Sequence, residues 1–319
     1  MYSHIHQSIF LWYQKNGRHD LPWRQTKDPY KIWLSEIMLQ QTQVKTVLER
    51  FYFPFLKRFP TLLDLAQADE DAVMKRWEGL GYYTRARNLH KSAILCKTSL
   101  PSSAQELEKL SGVGPSTAHA IACFAYGDAK PILDANVKRI LCRFFALKEK
   151  KDKELWQKAW ELLDEKNPYE YNQALMDIGS NVCTQKDPKC YECPLETLCQ
   201  GKTQPSLYPT KKAKKNKPKK ERFIVVYECQ KSYSLSKNTN KLLGGLWGFV
   251  QNTDKPKHTY KDLGRVKQSY SHFDLVANVL LVNEPKKTQE LYFTFEQMEE
   301  IAMSGVDRKV HALLKSCKI

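Results

Sequence analysis

The chain has 319 residues and a formal net charge of +16. It is long enough for two domains, each with its own core. It contains no run of eighteen apolar residues, which argues against a membrane span. The amino terminus lacks the basic start and apolar core of a secretory signal. A basic excess of this size favours nucleic acid as a partner, although it can also serve solubility alone.

Residues 5–182 are predicted to be almost wholly helical, because apolar residues recur at three- and four-residue spacing, as in Val73, Trp77 and Leu80. A basic segment with prolines follows at 202–221. Like charges repel and proline removes a backbone donor, so this segment is predicted to be an extended or disordered linker.

The carboxy-terminal part has a different character. Runs of β-branched and aromatic residues predict strands at 222–227, 246–250 and 275–282, and two helices are predicted around 295–303 and 306–316. The expected organisation is a helical domain at 1–201, a linker at 202–221 and a small α+β domain at 222–319.

The segment 107–122 predicts two helices joined by a tight turn. The first helix should end near Leu110 and the second should start at Pro115, because proline suits the first helical position. Gly112 and Gly114 would supply positive φ angles and let a ligand approach the backbone. The free amides could then hold a phosphate. An ordinary helical hairpin with glycine caps is the alternative.

Two acidic residues stand in contrasting surroundings. Glu36 lies among apolar residues, and burial there would raise its pKa so that it could donate a proton. A solvated glutamate on an amphipathic helix is the alternative that local sequence favours. Asp134 follows an extended apolar stretch and precedes a basic helix, so it is expected to be an N-cap whose ionised form the helix dipole favours. One protonated and one charged carboxyl is what cleavage of a glycosidic bond requires.

Four of the nine cysteines, Cys183, Cys190, Cys193 and Cys199, follow the spacing C-x6-C-x2-C-x5-C. Without a secretory signal, such a group indicates metal binding rather than disulfides. Both a zinc ion and an iron–sulfur cluster are compatible with four cysteines.

Five sequence blocks follow one another along the chain: LPWR (21–24), SEIMLQQTQV (35–44), GLGYYTRARNLH (79–90), ILDANVKR (132–139) and NQALMDIG (172–179). In sequence and in order, these blocks resemble those of the MutY-type adenine DNA glycosylases, which are relatives of endonuclease III. The similarity spans about residues 8–200 and resumes more weakly beyond 221. It implies a mainly α fold, with a helix-hairpin-helix core, a loop at 183–199 that carries one four-iron, four-sulfur cluster, and a Nudix-like carboxy-terminal domain.

The resemblance also implies catalytic roles. Glu36 matches the acid that protonates adenine N7, Asp134 the carboxylate that stabilises the sugar cation, and Asn136 a residue that positions that aspartate and the water. Ser116 stands where endonuclease III has a catalytic lysine, which implies a glycosylase without efficient strand cleavage.

Further residues match positions that contact DNA. Gly112, Gly114 and Lys138 are expected near phosphate. The adenine pocket and the bases around the lesion are expected to involve Arg24, Leu39, Gln41, Tyr82, Gln173, Ser116 and, from the carboxy-terminal domain, Tyr270, Ser271 and His272.

The sequence therefore predicts excision of adenine paired with 8-oxoguanine or guanine in double-stranded DNA, leaving an abasic site. A monomer without membrane association, in the cytoplasm at the nucleoid, is expected. A pyrimidine-lesion glycosylase with lyase activity and a non-catalytic DNA-binding protein with a cluster are the alternatives. The region 221–300 contains no metal-binding Nudix box, so nucleotide hydrolysis is not expected.

Overall fold

The computed structural model describes residues 2–149, 151–210, 216–240, 242–283 and 291–317. Backbone contacts divide the chain into two compact units. The first unit comprises Met1–Gln41 and Thr98–Ala213, and the second comprises Thr42–Lys97 and Lys214–Ile319. The domain bounds expected from the sequence stay a prediction. None of the helices in the described ranges combines the length and apolar character that a membrane span requires.

The helices are α1 (Ser3–Asn16), α2 (Pro29–Leu39), α3 (Val44–Arg50), α4 (Tyr52–Arg58), α5 (Leu62–Ala66), α6 (Glu70–Trp77), α7 (Thr84–Cys96), α8 (Ala104–Leu107), α9 (Pro115–Tyr126), α10 (Ala135–Phe144), α11 (Asp152–Leu162), α12 (Pro168–Asn181), α13 (Phe295–Glu300) and α14 (Gly305–Ser316). The strands are β1 (Lys219–Cys229), β2 (Ser232–Lys237), β3 (Trp247–Gly248), β4 (Val250–Asn252), β5 (Lys261–Ser269), β6 (Asp274–Val282) and β7 (Leu291–Phe293). The described residues before 219 contain no strand, so the helical prediction for 5–182 is confirmed.

Two apolar clusters hold the helices of the first unit. The larger cluster joins α1, α10 and α12 through Ile9, Val137 and Ile178, all buried. The smaller cluster joins α2 to α9 through Ile32 and Phe124. Burial of apolar side chains stabilises such contacts by about 25 cal/mol per Å² removed from water. The two helices that carry or follow the candidate acids, α2 and α10, are therefore both fixed by buried faces.

The second unit contains helices α3–α7 and a seven-stranded sheet with the order β3-β2-β1-β6-β5, in which β4 pairs with β1 and β7 with β2. β1 and β6 are parallel, with Val226 opposite Leu281, and the other pairs are antiparallel. α13 and α14 contribute Met298 and Val310 to the core over the sheet, beside Val279. The α+β character expected for 222–319 is confirmed.

The sequence identified β1 and β6 at the centre of the sheet and missed β2, β5 and β7. The predicted strands correspond to β1, β3 with β4, and β6, and the two predicted helices to α13 and α14. β5, at the edge of the sheet, was not predicted because Lys261, Asp262, Arg265 and Lys267 interrupt its apolar alternation and are exposed. Charged residues are common on edge strands, where they discourage further pairing.

Part of the expected linker is folded. Pro205–Leu207 forms a single 3-10 turn. Arg143 Nε donates to the carbonyl oxygens of Pro205 at 3.0 Å and Tyr208 at 3.2 Å. The prediction of an extended or disordered chain is therefore wrong for 205–208, because a buried arginine fixes this backbone. The basic residues 211–215 lie outside the described residues, and β1 begins at Lys219, inside the expected linker.

Candidate active site

Asp134 caps the amino terminus of α10, as its position before a helix predicts. Its Oδ1 accepts a hydrogen bond from the Val137 amide at 2.7 Å, and its Oδ2 accepts one from Asn136 Nδ2 at 3.3 Å. The cap has an extended backbone, with φ −78° and ψ −178°. A side chain that caps a helix in this way has little freedom, so the carboxylate is held in one orientation.

The extended chain before Asp134 is fixed from two sides. The Ser116 hydroxyl accepts a hydrogen bond from the Leu133 amide at 3.1 Å. The side chain of Asn172 accepts one from the Ile132 amide at 3.0 Å and donates to two carbonyl oxygens. Ser116, expected near the substrate, thus also helps to position the candidate carboxylate.

Glu36 lies on α2, partly buried, within electrostatic reach of Asp134 and Arg24. Burial raises the pKa of Glu36 to about 7; the negative charge of Asp134 adds to the increase, and the positive charge of Arg24 opposes it. The solvated glutamate that local sequence favours does not describe this carboxyl. At neutral pH a large fraction of Glu36 is protonated, as a proton donor requires.

The pKa of Asp134 is also raised, because burial outweighs the hydrogen bonds from Val137 and Asn136 that lower it. From the sequence, the helix amino terminus was expected to favour the ionised form of Asp134 and so to keep its pKa low. Burial outweighs that effect. The two carboxyls still differ, since Asp134 accepts hydrogen bonds that stabilise its anion, whereas desolvation dominates at Glu36. When the two carboxyls hold one proton between them, that proton is expected to reside on Glu36.

Arg24, expected to line the adenine pocket, is held by a buried acid that sequence reasoning missed. Asp177 on α12 is fully buried and accepts both Arg24 Nη1 at 2.7 Å and Arg24 Nη2 at 2.8 Å. It also accepts the backbone amide of Arg18 at 2.9 Å and its Nε at 2.7 Å. Burial alone would raise the pKa of Asp177, but the two arginines hold it below its ordinary value. An aspartate inside an apolar helix was the available signal, because buried acids need a partner.

Gln173 and Leu39 lie in the same unit as the acid pair. Gln173 is 3% exposed, and among the described residues its buried Oε1 has no hydrogen-bond partner. Buried polar atoms are nearly always paired, so an acceptor of this kind favours a donor from a ligand or a water. Leu39 ends α2 and is partly exposed.

Asn136 is confined by a close approach of two helices. A Cβ atom built on Gly179 of α12 would lie 2.6 Å from Asn136 Cβ and 3.4 Å from its Cα. Arg139 Nη2 donates to Asn136 Oδ1 at 2.9 Å and to the Gly179 carbonyl at 2.5 Å, and its Nε donates to the Cys183 carbonyl at 2.8 Å. One arginine therefore joins Asn136 to the start of the cysteine loop.

The four cysteines of the loop line one cavity, together with Arg143 at the end of α10. Arg143 Nη1 lies 3.2 Å from Cys183 Sγ, and Cys199 Sγ lies 3.6 Å from the Arg143 carbonyl oxygen. In the part of the chain that is described, no three His, Cys, Asp or Glu side chains are placed to hold a metal ion. The four thiols therefore share one cavity.

The hairpin between α8 and α9 differs from the prediction at one glycine. Gly112 has φ +79°, in the region that glycine favours, as expected. Gly114 has φ −96° and caps α9 with an extended backbone, so the positive φ expected there is wrong. A Cβ on Gly114 would meet no atom within 4 Å. Lys138, expected near phosphate, donates to Asp152 Oδ1 at 2.6 Å.

Among the candidate residues at the DNA bases, Gln41, Tyr82, Ser271 and His272 are exposed, and Tyr270 is half-buried. Gln41 and Tyr82 both have positive φ, +58° and +50°, which is uncommon outside glycine. In the second unit, the Tyr270 amide donates to the Phe273 carbonyl at 2.9 Å. This bond closes the turn between β5 and β6, at which Ser271 and His272 are exposed.

Comparison with known proteins identifies the family to which the chain belongs. Residues 34–165 match the family model described as "HhH-GPD superfamily base excision DNA repair protein". The chain is 40% identical to the adenine DNA glycosylase of Buchnera aphidicola subsp. Baizongia pistaciae, over 76% of this chain and 71% of the relative. It is 32% identical to that of Buchnera aphidicola subsp. Acyrthosiphon pisum, over 98% and 97%.

A solved thermostable thymine-DNA glycosylase is 28% identical, with a TM-score of 0.57, over 62% of this chain and 94% of that protein. The helical fold is thus shared with this solved structure, and the match to the named relatives extends over most of the chain. The chain belongs to the adenine DNA glycosylase family and is a base-excision-repair hydrolase that acts on the N-glycosyl bond of adenine in DNA.

Proposed function

We propose that this glycosylase removes adenine paired with 8-oxoguanine, or with guanine, by hydrolysis and without cutting the strand. The acid pair carries the proposal. The pKa of Glu36 stands at about 7, and the nearby Asp134 accepts two hydrogen bonds that favour its anion. Departure of adenine needs a proton on the base and a negative charge near the sugar, and the pair has one group for each.

The proposed reaction starts with adenine turned out of the duplex, which is easiest at a mispair. Glu36 donates its proton to adenine N7, and the bond between adenine N9 and sugar C1′ breaks, with its electron pair remaining on adenine. The Asp134 carboxylate stabilises the cationic sugar. Water oriented by Asn136 then adds to C1′, and its proton passes to a carboxylate of the pair. The products are free adenine and an abasic site.

Recognition of adenine is assigned to Gln173, Arg24 and Leu39. The buried Gln173 Oε1 is an acceptor without a partner among the described residues, which suits the exocyclic amine of adenine. Arg24 lowers the pKa of Glu36 through its charge, so it limits how far that pKa rises. Leu39 offers an apolar surface to the base.

The proposed absence of strand cleavage rests on Ser116 and Lys138, the two residues that could stand near the sugar. A lyase reaction needs an amine that forms a Schiff base with C1′. Ser116 occupies the hairpin position and accepts a hydrogen bond from the Leu133 amide. The ammonium group of Lys138 is paired with Asp152. Neither residue therefore offers a free amine in this conformation.

The cysteine loop is proposed to hold one four-iron, four-sulfur cluster. Cys183, Cys190, Cys193 and Cys199 line one cavity, and four thiolates can supply one ligand to each iron of such a cluster. When bound, the cluster would cross-link the loop, and hydrolysis of a glycosidic bond requires no electron from it.

Contacts with double-stranded DNA are proposed at three places. The exposed backbone of Gly112 and Gly114 would hold phosphate. Gln41 and Tyr82 would enter the base stack. In a Nudix-like carboxy-terminal domain, Tyr270 would lie beside 8-oxoguanine while Ser271 and His272 hydrogen-bond its altered edge. We propose that the protein acts as a monomer on chromosomal DNA in the cytoplasm, at the nucleoid.

Release of adenine in single turnovers tests the proposal. The substrates are duplexes that contain A·8-oxoguanine, A·G or thymine glycol. We expect rapid release from A·8-oxoguanine, slower release from A·G, and an intact strand until alkali is added. Glu36→Gln should slow release by about 10²–10⁴-fold, since it cannot donate the proton. Glu165→Gln, at an exposed glutamate of the same unit, is the matched control.

Three results would contradict the proposal. Release of adenine from neither A·8-oxoguanine nor A·G would reject the proposed substrates. Cleavage of the thymine glycol strand would place the protein with lyases of the endonuclease III type. Unchanged release by Glu36→Gln, with Glu165→Gln equal to the wild type, would remove Glu36 as the acid.

A further inference from the structure

The loop between α6 and α7 has an unusual backbone. Gly79, Gly81 and Tyr82 all have positive φ, at +93°, +77° and +50°. Tyr82 is 46% exposed, although it is a large aromatic residue. A non-glycine residue in this region is strained and persists only where its surroundings hold it. Contacts of the loop must therefore fix the conformation that exposes Tyr82.

Helices α6 and α7 hold the second half of the loop. Arg85 Nη2 donates to the carbonyl oxygens of Leu80 at 3.3 Å and Gly81 at 3.0 Å. Trp77 Nε1 donates to the Gly81 carbonyl at 3.2 Å. The Arg85 guanidinium also lies over the Tyr82 ring, 5.4 Å from its centre. These contacts are local in sequence.

The first residue of the loop is held from far along the chain. Both carboxylate oxygens of Glu78 accept hydrogen bonds from Arg308 on α14, Oε1 from Nε and Oε2 from Nη2, the latter at 2.9 Å. Arg308 is itself fixed, because Nη1 donates to the Met298 carbonyl at 2.8 Å and Nη2 to the Ile301 carbonyl at 2.6 Å. Lys75 Nζ also donates to Glu78 Oε2, at 3.0 Å.

The pair has the geometry of a rigid link. A bidentate arginine–carboxylate pair fixes both position and angle, which a lysine cannot do. Side chains of Arg308 and Glu78 are only 22% and 17% exposed, so solvent screens their interaction less than that of a surface pair. Ser304 caps this turn of α14 and interacts with the hydroxyl of Tyr270. The first turn of α14 thus contacts both Glu78, the first residue of the Tyr82 loop, and the segment between β5 and β6 that carries Tyr270.

We propose that Arg308 is a positioning residue for lesion recognition, which through Glu78 fixes the 78–82 loop so that Tyr82 is presented to DNA. This inference rests on the proposed function only in taking Tyr82 as a DNA contact. Arg308 itself would touch no DNA. Its effect on binding would pass entirely through Tyr82.

A double-mutant cycle on the full chain tests this route. The probe is a duplex that contains 8-oxoguanine opposite 2′-fluoro-adenosine, which resists cleavage, so that the dissociation constant is measured without reaction. Arg308→Ala should weaken binding roughly tenfold in the wild-type background and less than about twofold in a Tyr82→Ala background. Lys315→Ala is the control, because Lys315 is on the same helix and pairs with Glu299 rather than with Glu78; it should leave the constant unchanged.

Arg308→Lys repeats the cycle with a smaller disturbance of folding, because it keeps the charge and loses the fork. Equal losses in the wild-type and Tyr82→Ala backgrounds would overturn the proposal, and so would an unchanged constant for Tyr82→Ala alone. Because the cycle measures binding only, failure to release adenine would reject the proposed function and leave this result interpretable.

Discussion

The acid pair and the Tyr82 loop are supported in opposite ways. Glu36 and Asp134 belong to regular helices whose apolar faces are buried, and Asp134 is fixed by the first turn of its own helix. Tyr82 lies in an irregular loop with positive φ. Glu78, the first residue of that loop, is held by Arg308, which lies 230 residues further along the chain. The first arrangement sets pKa values, whereas the second sets the position of an exposed side chain.

The difference separates two kinds of requirement. Proton transfer needs groups that are desolvated and held within a small fraction of an ångström, which a packed helical core provides. Contact with a distorted duplex needs exposed residues on a defined but surface-lying backbone. We therefore expect changes near the acids to affect stability and the rate of release, and changes near the loop to affect DNA affinity.

The largest effect on the free energy of unfolding is expected when Asp177, rather than Glu78, is replaced. Both of these acids pair with arginine. Asp177→Asn leaves Arg24 and part of Arg18 as buried charges without compensation, which should lower the free energy of unfolding by about 3–5 kcal/mol. Glu78→Gln affects a partly exposed pair, and the loss should be about 1 kcal/mol. Urea denaturation of both variants measures the two losses. Similar losses would show that the two regions are equally dependent on buried charge.

A second contrast compares two glycines. Gly179→Ala would place a methyl group 2.6 Å from Asn136 Cβ, so α10 or α12 must shift, at a cost of about 1–3 kcal/mol. Gly81→Ala meets no atom within 4 Å, but φ of +77° strains alanine by about 1 kcal/mol. The first variant should slow adenine release with little change in affinity, and the second should weaken DNA binding with little change in single-turnover rate at saturation.

Measured together, binding and release distinguish these outcomes. Gly127→Ala is the control for Gly81→Ala, because its φ is also +77° and its Cβ position is open, but it follows α9. Loss of affinity in both variants would assign the effect to general destabilisation. Normal release by Gly179→Ala would show that Asn136 tolerates displacement.

The last contrast concerns pH. Glu36 is active when protonated and its pKa is about 7, so the release rate should fall above pH 7, by up to tenfold per unit. DNA affinity should not share this inflection.

The raised pKa also means that the neutral form of Glu36 stabilises the folded state. This contribution is complete below pH 4.5 and is lost as pH rises through 7, and it amounts to at most about 3 kcal/mol.

Glu36→Gln provides the check on the sign. It should abolish the fall in rate above pH 7 in whatever activity remains, and it should be more stable than the wild type at pH 8 because no charge is buried. An inflection near pH 7 that persists in Glu36→Gln would assign the titration to another group.

The sequence by itself determined the features that arise from local chemistry. The cap at Asp134, the start of α9 at Pro115 and the positive φ at Gly112 all follow from residues within one turn of chain. The periodicity of residues 5–182 and the apolar runs of β1 and β6 likewise specify the helical region and the centre of the sheet. Local preference failed at β5, whose charged residues are explained only by its place at the edge of the sheet.

Tertiary structure decided what depends on distant partners. Local sequence favoured a solvated Glu36, and only its burial beside Asp134, about one hundred residues away, raises its pKa to about 7. Asp177 gains its arginines, Asn136 its confinement by Gly179, and Glu78 its contact with Arg308 by the same kind of encounter. Charge and desolvation act through space, so residues that look ordinary in sequence acquire their chemistry only when the folded chain places them together.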